Sequence, residues 1–237
     1  MASSLDYDVK QGRRWAFDEQ VAACFPDMLE RSIPQYNEMR KLVFQLGKAI
    51  LDSKDIQTAL DLGCSTGIGL EQLAEPYPKG FFVGVDASSA MVKEAASRLQ
   101  EKKNIYVREM DLRHEFPKGN YHLVTAILTL QFIPLESRLR VIKSVYECVH
   151  PGGAFLLVEK VLGSDPVIHD LLVNQYYNYK SDNGYTAEQI ENKRFSLENV
   201  LVPVTSDWNK DMLRHCGFDR VESFWRCLNF EGLIAIK

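Results

Sequence analysis

Short apolar runs alternate along this chain with longer stretches in which apolar residues recur about every three to four positions. Such runs are typical of strands buried on both faces, and the wider spacing is typical of amphipathic helices. The pattern predicts strands at 58–62, 81–85, 105–110, 121–127 and 154–158, and helices at about 67–75, 88–99 and 135–149. This alternation predicts an α/β fold with a mostly parallel, doubly wound sheet.

The two ends of the chain complete this fold. Apolar residues at helical spacing predict helices within 15–51, before the first strand. A helix is predicted at 206–216, with Gly217 at its C-cap, and closing strands at 219–227 and 231–236.

One internal segment, 164–200, interrupts the alternation. An aromatic helix is predicted around 171–179, followed by a polar stretch and a second helix at 187–200. An insertion of this size typically covers a ligand cleft or forms a dimer surface. We therefore expect one domain over 1–237, with a helical cap at 1–52 and a lid or dimer insertion at 164–200.

The first predicted strand leads into the most informative segment of the chain. Gly63, Gly67 and Gly69 follow that strand within seven positions, and the next strand ends in an acid, Asp86. Glycines let the backbone approach a ligand closely, and an acid at the end of the second strand can bind both hydroxyls of a ribose. The pattern predicts half of a nucleotide-binding domain.

The acid that precedes the first glycine narrows the choice of nucleotide. A dinucleotide fingerprint places a pyrophosphate near the glycines, and the carboxylate of Asp61 would repel it. A cationic sulfonium or amino-acid ligand suits that carboxylate, so S-adenosylmethionine is favoured over NAD. A glycine-rich turn without a ligand is the alternative.

Composition excludes several other functions. The 237 residues carry a formal net charge of −4, which gives no overall basic field for nucleic acid. No apolar run approaches the roughly 18 residues of a membrane span, and no signal-peptide core is seen at the N-terminus, so we expect a cytoplasmic protein. The five cysteines show no Cys-x-x-Cys pair, and with the scattered histidines they predict no metal site.

The glycine motif, the strand-end acids Asp86 and Asp111, and the Pro151-Gly-Gly turn resemble class I S-adenosylmethionine-dependent methyltransferases, whose Rossmann-like sheet has seven strands. A closer resemblance, to carboxy-S-adenosylmethionine synthases, covers nearly the whole chain. It rests on Trp15-Ala-Phe-Asp-Glu, Phe25-Pro-Asp-Met28, Arg31-Ser-x-Pro-x-Tyr36, Thr129-Leu-Gln-Phe132, Asn183-Gly-Tyr185, Lys193-Arg194 and Leu197-Glu-Asn-Val200. That family converts S-adenosylmethionine and prephenate to carboxy-S-adenosylmethionine, phenylpyruvate and water. Its product serves formation of 5-oxyacetic acid at the tRNA wobble uridine.

The resemblance implies a role for individual residues. Gly63, Cys64 and Ser65 would contact the methionine part and the ribose, Asp86 would hold the ribose hydroxyls, and Asp111 with Leu112 would frame the adenine. Tyr36 would approach the sulfonium. Arg194 would grip the transferred carboxylate from the neighbouring subunit of a homodimer, as a planar guanidinium can do bidentately.

Two cofactor-lining positions depart from the family pattern. Ile127 and Ala87 stand where family members commonly carry asparagine. Losing an amide at 127 removes a hydrogen-bonding group worth about 1–3 kcal/mol. A methyltransferase acting on a small molecule is therefore an alternative function, and a protein that binds the cofactor without turnover is a third.

Overall fold

The computed structural model describes residues 13–237, in which helices cover both faces of one large sheet. The strands are β1 (Thr58–Leu62), β2 (Phe81–Asp86), β3 (Ile105–Glu109), β4 (Tyr121–Ile127), β5 (Val149–Leu162), β6 (Val204–Thr205), β7 (Arg220–Cys227) and β8 (Phe230–Ile236). The helices are α1 (Glu19–Ser32), α2 (Tyr36–Leu51), α3 (Ile68–Ala74), α4 (Ser89–Leu99), α5 (Leu135–Cys148), α6 (Pro166–Asp182), α7 (Ala187–Ser196) and α8 (Ser206–His215). Residues 1–12 of the predicted N-terminal cap lie outside the described residues.

The strand order is β3-β2-β1-β4-β5-β8-β7. Strands β1 to β5 pair in parallel, and β8 lies antiparallel between β5 and β7. The two-residue β6 adds a short parallel pairing at the end of β5. This confirms the mostly parallel α/β fold, and β6 is an addition to the seven predicted strands. The chain reverses its direction of progress across the sheet between β1 and β4, which is where open α/β sheets bind ligands.

Buried side chains of successive strand residues divide the core into two layers. Leu60 and Leu62 of β1 pack on one face, against α5 and α8, whereas Ala59 packs on the other, against α2, α3 and α4. The same alternation runs through β4 and β5 because successive side chains of a strand point to opposite faces. Both faces are covered, which explains why these strands are continuous apolar runs.

Two predicted features differ from the structure. The helix predicted at 187–200 ends at Ser196, and Asn199 adopts a left-handed conformation with φ 59° that a helix does not continue through. The tight turn predicted at Pro151-Gly-Gly lies inside β5, as a bulge in which residues 150–153 lie opposite residue 122 alone. For β5, the register across the sheet decides the length of the strand and the position of the bulge, and a local sequence pattern contains no information about that register.

The segment between β5 and β6 packs on the N-terminal helices. The Tyr179 hydroxyl donates to the carbonyl of Glu30 (3.1 Å), and Arg31 Nη1 donates to the carbonyl of Asn183 (3.1 Å). The backbone N–H of Trp15 donates to the carbonyl of Ser196 (2.9 Å). These contacts join α6 to α1, and α7 to the segment that precedes α1. That the segment acts as a lid or dimer surface of a single domain stays a prediction.

Candidate active site

A cavity of about 1310 Å³ runs along the carboxyl edge of the parallel strands. Its wall includes a residue near the carboxyl end of each of these strands: Asp111 for β3, Ala87 for β2, Gly63 for β1, Leu128 for β4 and Lys160 for β5. Small-molecule sites commonly measure about 300–1,000 Å³. The cavity therefore has room for a nucleoside ligand together with a second small molecule.

The loop between β1 and α3 brings backbone to the cavity. Gly63 and Gly67 have φ of 76° and 79°, and Ser65 between them is also left-handed, with φ 51°. A Cβ at Gly63 would lie 2.3 Å from Thr129 Oγ1, which donates to the carbonyl of Leu62 (2.9 Å). Glycine is thus required here both for its conformation and for space.

Asp86, the last residue of β2, is anchored by backbone on both sides. Its Oδ2 accepts from the N–H of Ser65 (2.9 Å) and its Oδ1 accepts from the N–H of Ser88 (2.9 Å). Burial raises the pKa of Asp86, and these two hydrogen bonds partly offset that rise. A carboxylate offers about four acceptor positions, so Asp86 keeps capacity for two hydroxyl donors of a ligand.

A second acid, Asp61 in β1, is more deeply buried. Thr125 Oγ1 donates to Asp61 Oδ1 at 2.6 Å, and both residues line the cavity. Burial raises the pKa of Asp61, while the Thr125 hydrogen bond and the charge of Arg40 act in the opposite direction. Burial, Asp61 and Asp86 together raise the pKa of Cys64, so its thiol stays protonated and is no nucleophile.

Asp111 and Leu112 follow β3 and line the cavity beside Arg113. Both carboxylate oxygens of Asp111 accept from the Arg113 guanidinium, at 2.7–3.0 Å. This pairing holds the pKa of Asp111 below its usual value. Leu112 is buried and offers an apolar surface next to the charged pair.

Tyr36 enters the cavity from the first turn of α2. The preceding residue, Gln35, is left-handed with φ 54° and marks the sharp start of that helix. Burial raises the pKa of Tyr36, and Arg40, whose Cζ lies 6.0 Å from the Tyr36 ring centroid, partly lowers it. Ile127, the last residue of β4, contributes an apolar wall to the same cavity.

The structure brings all nine predicted cofactor positions to this cavity and leaves one predicted residue out. They are Tyr36, Gly63, Cys64, Ser65, Asp86, Ala87, Asp111, Leu112 and Ile127. Arg194 does not line it. Its half-exposed guanidinium lies 3.6 Å from Glu198 Oε1 and over the Phe195 ring, at 4.3 Å from the centroid. Its assignment to the site of a neighbouring subunit stays a prediction.

The cavity also contains polar residues that the sequence analysis missed. Arg40, Gln131, Lys160 and Lys193 all line it. A signal existed for Lys160, because it closely follows the apolar run 154–158 just as Asp86 ends the run 81–85. No local pattern distinguishes Arg40 or Lys193 from a solvent-facing helix position, since tertiary packing places them.

Two further features are absent from residues 13–237, a cluster of metal ligands and a helix able to span a membrane. Among residues 13–237, no group of three or more His, Cys, Asp or Glu side chains is placed to hold a metal ion. Within the same range, no helix is long and apolar enough to cross a bilayer.

The fold is that of a known class of proteins. A family model described as a methyltransferase domain matches residues 59–153. An O-methyltransferase family protein from Burkholderia thailandensis superposes with a TM-score of 0.63 at 18% identity, covering 93% of this chain and 60% of that one. Human N-acetylserotonin methyltransferase in complex with SAM gives a TM-score of 0.54 at 17% identity, covering 97% of this chain and 64% of that one. The chain thus spans less than two thirds of these structures and shares the class I S-adenosylmethionine-dependent methyltransferase fold.

Similarity in sequence extends over nearly the whole chain. The carboxy-S-adenosyl-L-methionine synthase of Chromohalobacter salexigens is 38% identical over 230 residues, which cover 94% of this chain and 83% of the relative. The enzyme of that name from Nautilia profundicola is 34% identical, with 95% of both chains covered. The one from Methylococcus capsulatus is 37% identical, with 94% of this chain and 93% of the relative covered. The chain belongs to the carboxy-S-adenosyl-L-methionine synthase family, which confirms the resemblance seen in its motifs.

Proposed function

We propose that this protein converts S-adenosylmethionine and prephenate to carboxy-S-adenosylmethionine, phenylpyruvate and water. The observation that carries the proposal is the identity of 34–38%, over nearly the full chain, to curated enzymes of that name. In this reaction prephenate loses its ring carboxyl group and its hydroxyl group as the ring becomes aromatic. The carboxyl carbon bonds to the methyl carbon of S-adenosylmethionine, and the displaced methyl proton leaves with the hydroxyl group as water.

The residues present fit S-adenosylmethionine. A side chain at Gly63 would collide with Thr129, so the backbone there is open to a ligand that needs close approach. Asp86 retains acceptor capacity at the position where nucleotide-binding sheets hold ribose hydroxyls. The buried carboxylate of Asp61 suits the positive charge of the ligand's methionine part.

Six of the nine cofactor positions then have a role in holding the nucleoside and the methionine part. Gly63, Cys64 and Ser65 contact the methionine part and the ribose, and Asp86 accepts from the ribose hydroxyls. Leu112 packs on the adenine, and Asp111 accepts from its amino group while it stays paired with Arg113. S-adenosylmethionine supplies a methyl group that the sulfonium makes acidic.

The apolar part of the cavity wall excludes water from the reacting carbon. Phe17 packs edge-to-face on Phe25 and on Phe132, with centroids 5.9 and 5.0 Å apart, and all three line the cavity. Ile127 adds an apolar surface at the end of β4. A carbon that has lost a proton survives only where no good proton donor reaches it. This apolar wall therefore keeps water from returning a proton to that carbon.

The proposal includes a homodimer in which Arg194 binds the newly installed carboxylate of the other subunit's product. Arg194 stands next to Phe195, whose side chain is 50% exposed, and α6 exposes Val167, Ile168 and Leu171. Exposed apolar residues are typical of an interaction surface, so α6 and α7 both offer candidates for a subunit contact. The product is proposed to serve tRNA wobble-uridine modification, without direct binding of nucleic acid by this chain.

Mass spectrometry tests the reaction directly. The purified protein is incubated with S-adenosylmethionine and prephenate, and the small molecules are identified before and after. The expected product is heavier than S-adenosylmethionine by one carboxylate in exchange for hydrogen, with equimolar phenylpyruvate. If prephenate stays unconsumed and only S-adenosylmethionine or S-adenosylhomocysteine is found, the proposal is refuted and a methyltransferase with an apolar acceptor at Ile127 takes its place.

A further inference from the structure

Charge changes sign along the carboxyl edge of the sheet. Asp111, Asp86 and Asp61 stand at or near the ends of β3, β2 and β1, which are neighbours in the sheet. On the next strand after β4, β5, a basic side chain lines the cavity, that of Lys160. The acidic half matches a cationic nucleoside ligand, and the basic half matches an anion.

Three lysines, Lys160, Lys180 and Lys193, form what we call the lysine cluster. Lys160 and Lys193 line the cavity, and Lys180 lies behind Tyr176, with only 4% of its surface exposed. The Nζ atoms of Lys160 and Lys180 lie 4.8 and 5.2 Å from the centroid of the Tyr176 ring. Lys193 Nζ lies 4.9 Å from the Trp15 ring centroid.

No carboxylate of residues 13–237 forms an ion pair with the lysine cluster. The lysine ion pairs in that part of the chain involve Lys48, Lys93, Lys102 and Lys210 instead. Burial lowers the pKa of Lys160 and of Lys180 to about 8, and burial together with the charge of Lys180 also lowers the pKa of Lys193. Buried cations are costly unless an anion pairs with them, and aromatic rings supply only part of that compensation.

We infer that the lysine cluster binds the carboxylate that prephenate retains in phenylpyruvate, with Lys160 in direct contact and Lys180 and Lys193 raising the local positive potential. This inference rests on the proposed function, since it names the subsite of the second substrate. Lys160 is well placed for the role because the Gln131 side chain accepts from its backbone N–H (2.8 Å). Gln131 also lines the cavity, so both residues are presented at the same wall.

The chemistry decides which of the two carboxylates of prephenate the cluster binds. The ring carboxylate gives up its negative charge as it becomes carbon dioxide. A lysine on that group would stabilise the substrate more than the transition state and slow the reaction. The pyruvyl carboxylate keeps its charge throughout, so binding it orients the substrate without opposing the bond cleavage.

The spacing between neighbouring strands shows how far Lys160 lies from the nucleoside. β5 lies three strands from β2, about 14 Å at about 4.8 Å per strand. A nucleoside held at Asp86 therefore leaves the region at the end of β4, around Ile127, for the reacting groups. The retained carboxylate lies beyond them, at Lys160.

Calorimetric titration of phenylpyruvate into protein saturated with S-adenosylhomocysteine tests the inference without turnover. Phenylacetone, which lacks the carboxylate, is the neutral control ligand, and Lys143→Met on the exposed face of α5 is the control variant. We expect Lys160→Met to weaken phenylpyruvate binding by about tenfold or more and to leave phenylacetone and S-adenosylhomocysteine unchanged. Lys193→Met is expected to give a smaller loss of the same kind.

Thermal unfolding of the free protein separates this role from a structural one. Removing an unpaired buried charge does not lower the unfolding temperature, whereas removing a structural contact does. The inference is overturned if folded Lys160→Met binds phenylpyruvate within about twofold of the unsubstituted protein. It is equally overturned if phenylacetone binding falls in parallel, or if phenylpyruvate fails to bind at all. The two proposals can fail separately. If Lys160→Met loses affinity for phenylpyruvate alone while the unsubstituted protein does not consume prephenate in the mass-spectrometric assay, the anion subsite is supported and only the proposed reaction is refuted.

Discussion

Gly63 and Gly152 share almost the same backbone conformation in different surroundings. Their φ angles are 76° and 72°, but a Cβ would meet Thr129 Oγ1 at 2.3 Å in Gly63 and nothing within 4 Å in Gly152. Alanine at either position incurs the left-handed backbone cost of about 1–2 kcal/mol. Only at Gly63 is a steric collision added, next to the cavity.

We predict that Gly63→Ala destabilises the protein by clearly more than Gly152→Ala, which costs about 1–2 kcal/mol. Gly63→Ala is also expected to abolish S-adenosylmethionine binding, because Thr129 and the loop must shift. Urea denaturation and calorimetry measure the two effects. Equal destabilisation by the two substitutions would show that the loop relaxes freely and that close approach is not what Gly63 provides.

Asp86 combines a ligand role with a structural one. Asp86→Ala removes two acceptors for ribose and releases the N–H groups of Ser65 and Ser88. Hydrogen bonds to charged groups are worth about 1.5–3 kcal/mol each, so affinity for S-adenosylmethionine should fall at least a hundredfold, or roughly 3 kcal/mol. Asp86→Asn keeps the shape of the side chain and one acceptor oxygen. Its affinity for S-adenosylmethionine is expected to lie between those of the unsubstituted protein and Asp86→Ala. Unchanged affinity of the alanine variant by calorimetry would place the ribose elsewhere.

At the level of elements, the turn after β4 is held by two buried ionisable side chains. Glu159 Oε1 in β5 accepts from the N–H of Leu130 (3.0 Å), and Arg138 in α5 donates to the carbonyls of Ile133 (2.8 Å) and Val202 (2.6 Å). Burial raises the pKa of Glu159 to about 8, although Arg138 and the backbone act against that rise. The turn carries Gln131 into the cavity, so its stability bears on the site.

The raised pKa of Glu159 predicts how stability depends on pH. The folded state holds the proton up to about pH 8 and the unfolded state releases it near pH 4.5. The folded protein therefore binds more protons between these values, and its free energy of unfolding falls as pH rises from about 4.5 to 8. Glu159→Gln should make this fall shallower in urea denaturation at stepped pH, whereas exposed Glu94→Gln should not. An unchanged slope in Glu159→Gln would mean that Glu159 is ionised in the folded protein.

Much of the fold was accessible from the sequence, because apolar runs report strands directly. The strands predicted at 58–62 and 121–127 have those bounds in the structure. The strand-end signal located Asp86 and Asp111, and the same signal applied to a basic residue would have located Lys160. The position of Lys193 was not accessible, since it depends on how α7 packs near Trp15. Local periodicity contains no information about such a contact between distant segments.

At the scale of the whole molecule, the family resemblance predicts a site that is divided between two chains. Asp86 lies in the cavity of its own chain, whereas Arg194 lies outside it, with its guanidinium over the half-exposed Phe195 ring. In a two-fold symmetric dimer each site would take Asp86 from one chain and Arg194 from the other. Arg194→Ala alone should then spare S-adenosylmethionine binding and weaken the carboxylated form by roughly 2 kcal/mol.

Mixing the Asp86→Ala and Arg194→Ala variants tests that division, because each variant alone lacks one of the two residues that a complete site needs. In a dimer of one Asp86→Ala chain and one Arg194→Ala chain, one site receives both defects and the other receives none. Random reassortment makes about half of the dimers mixed, so about a quarter of full carboxylation activity should return on mixing. If Arg194 acted within its own chain, each site of the mixed dimer would keep one defect and no activity would return. Differently tagged chains, purified through both tags in succession, confirm that mixed dimers are present, so that a failure to recover activity assigns Arg194 to its own chain.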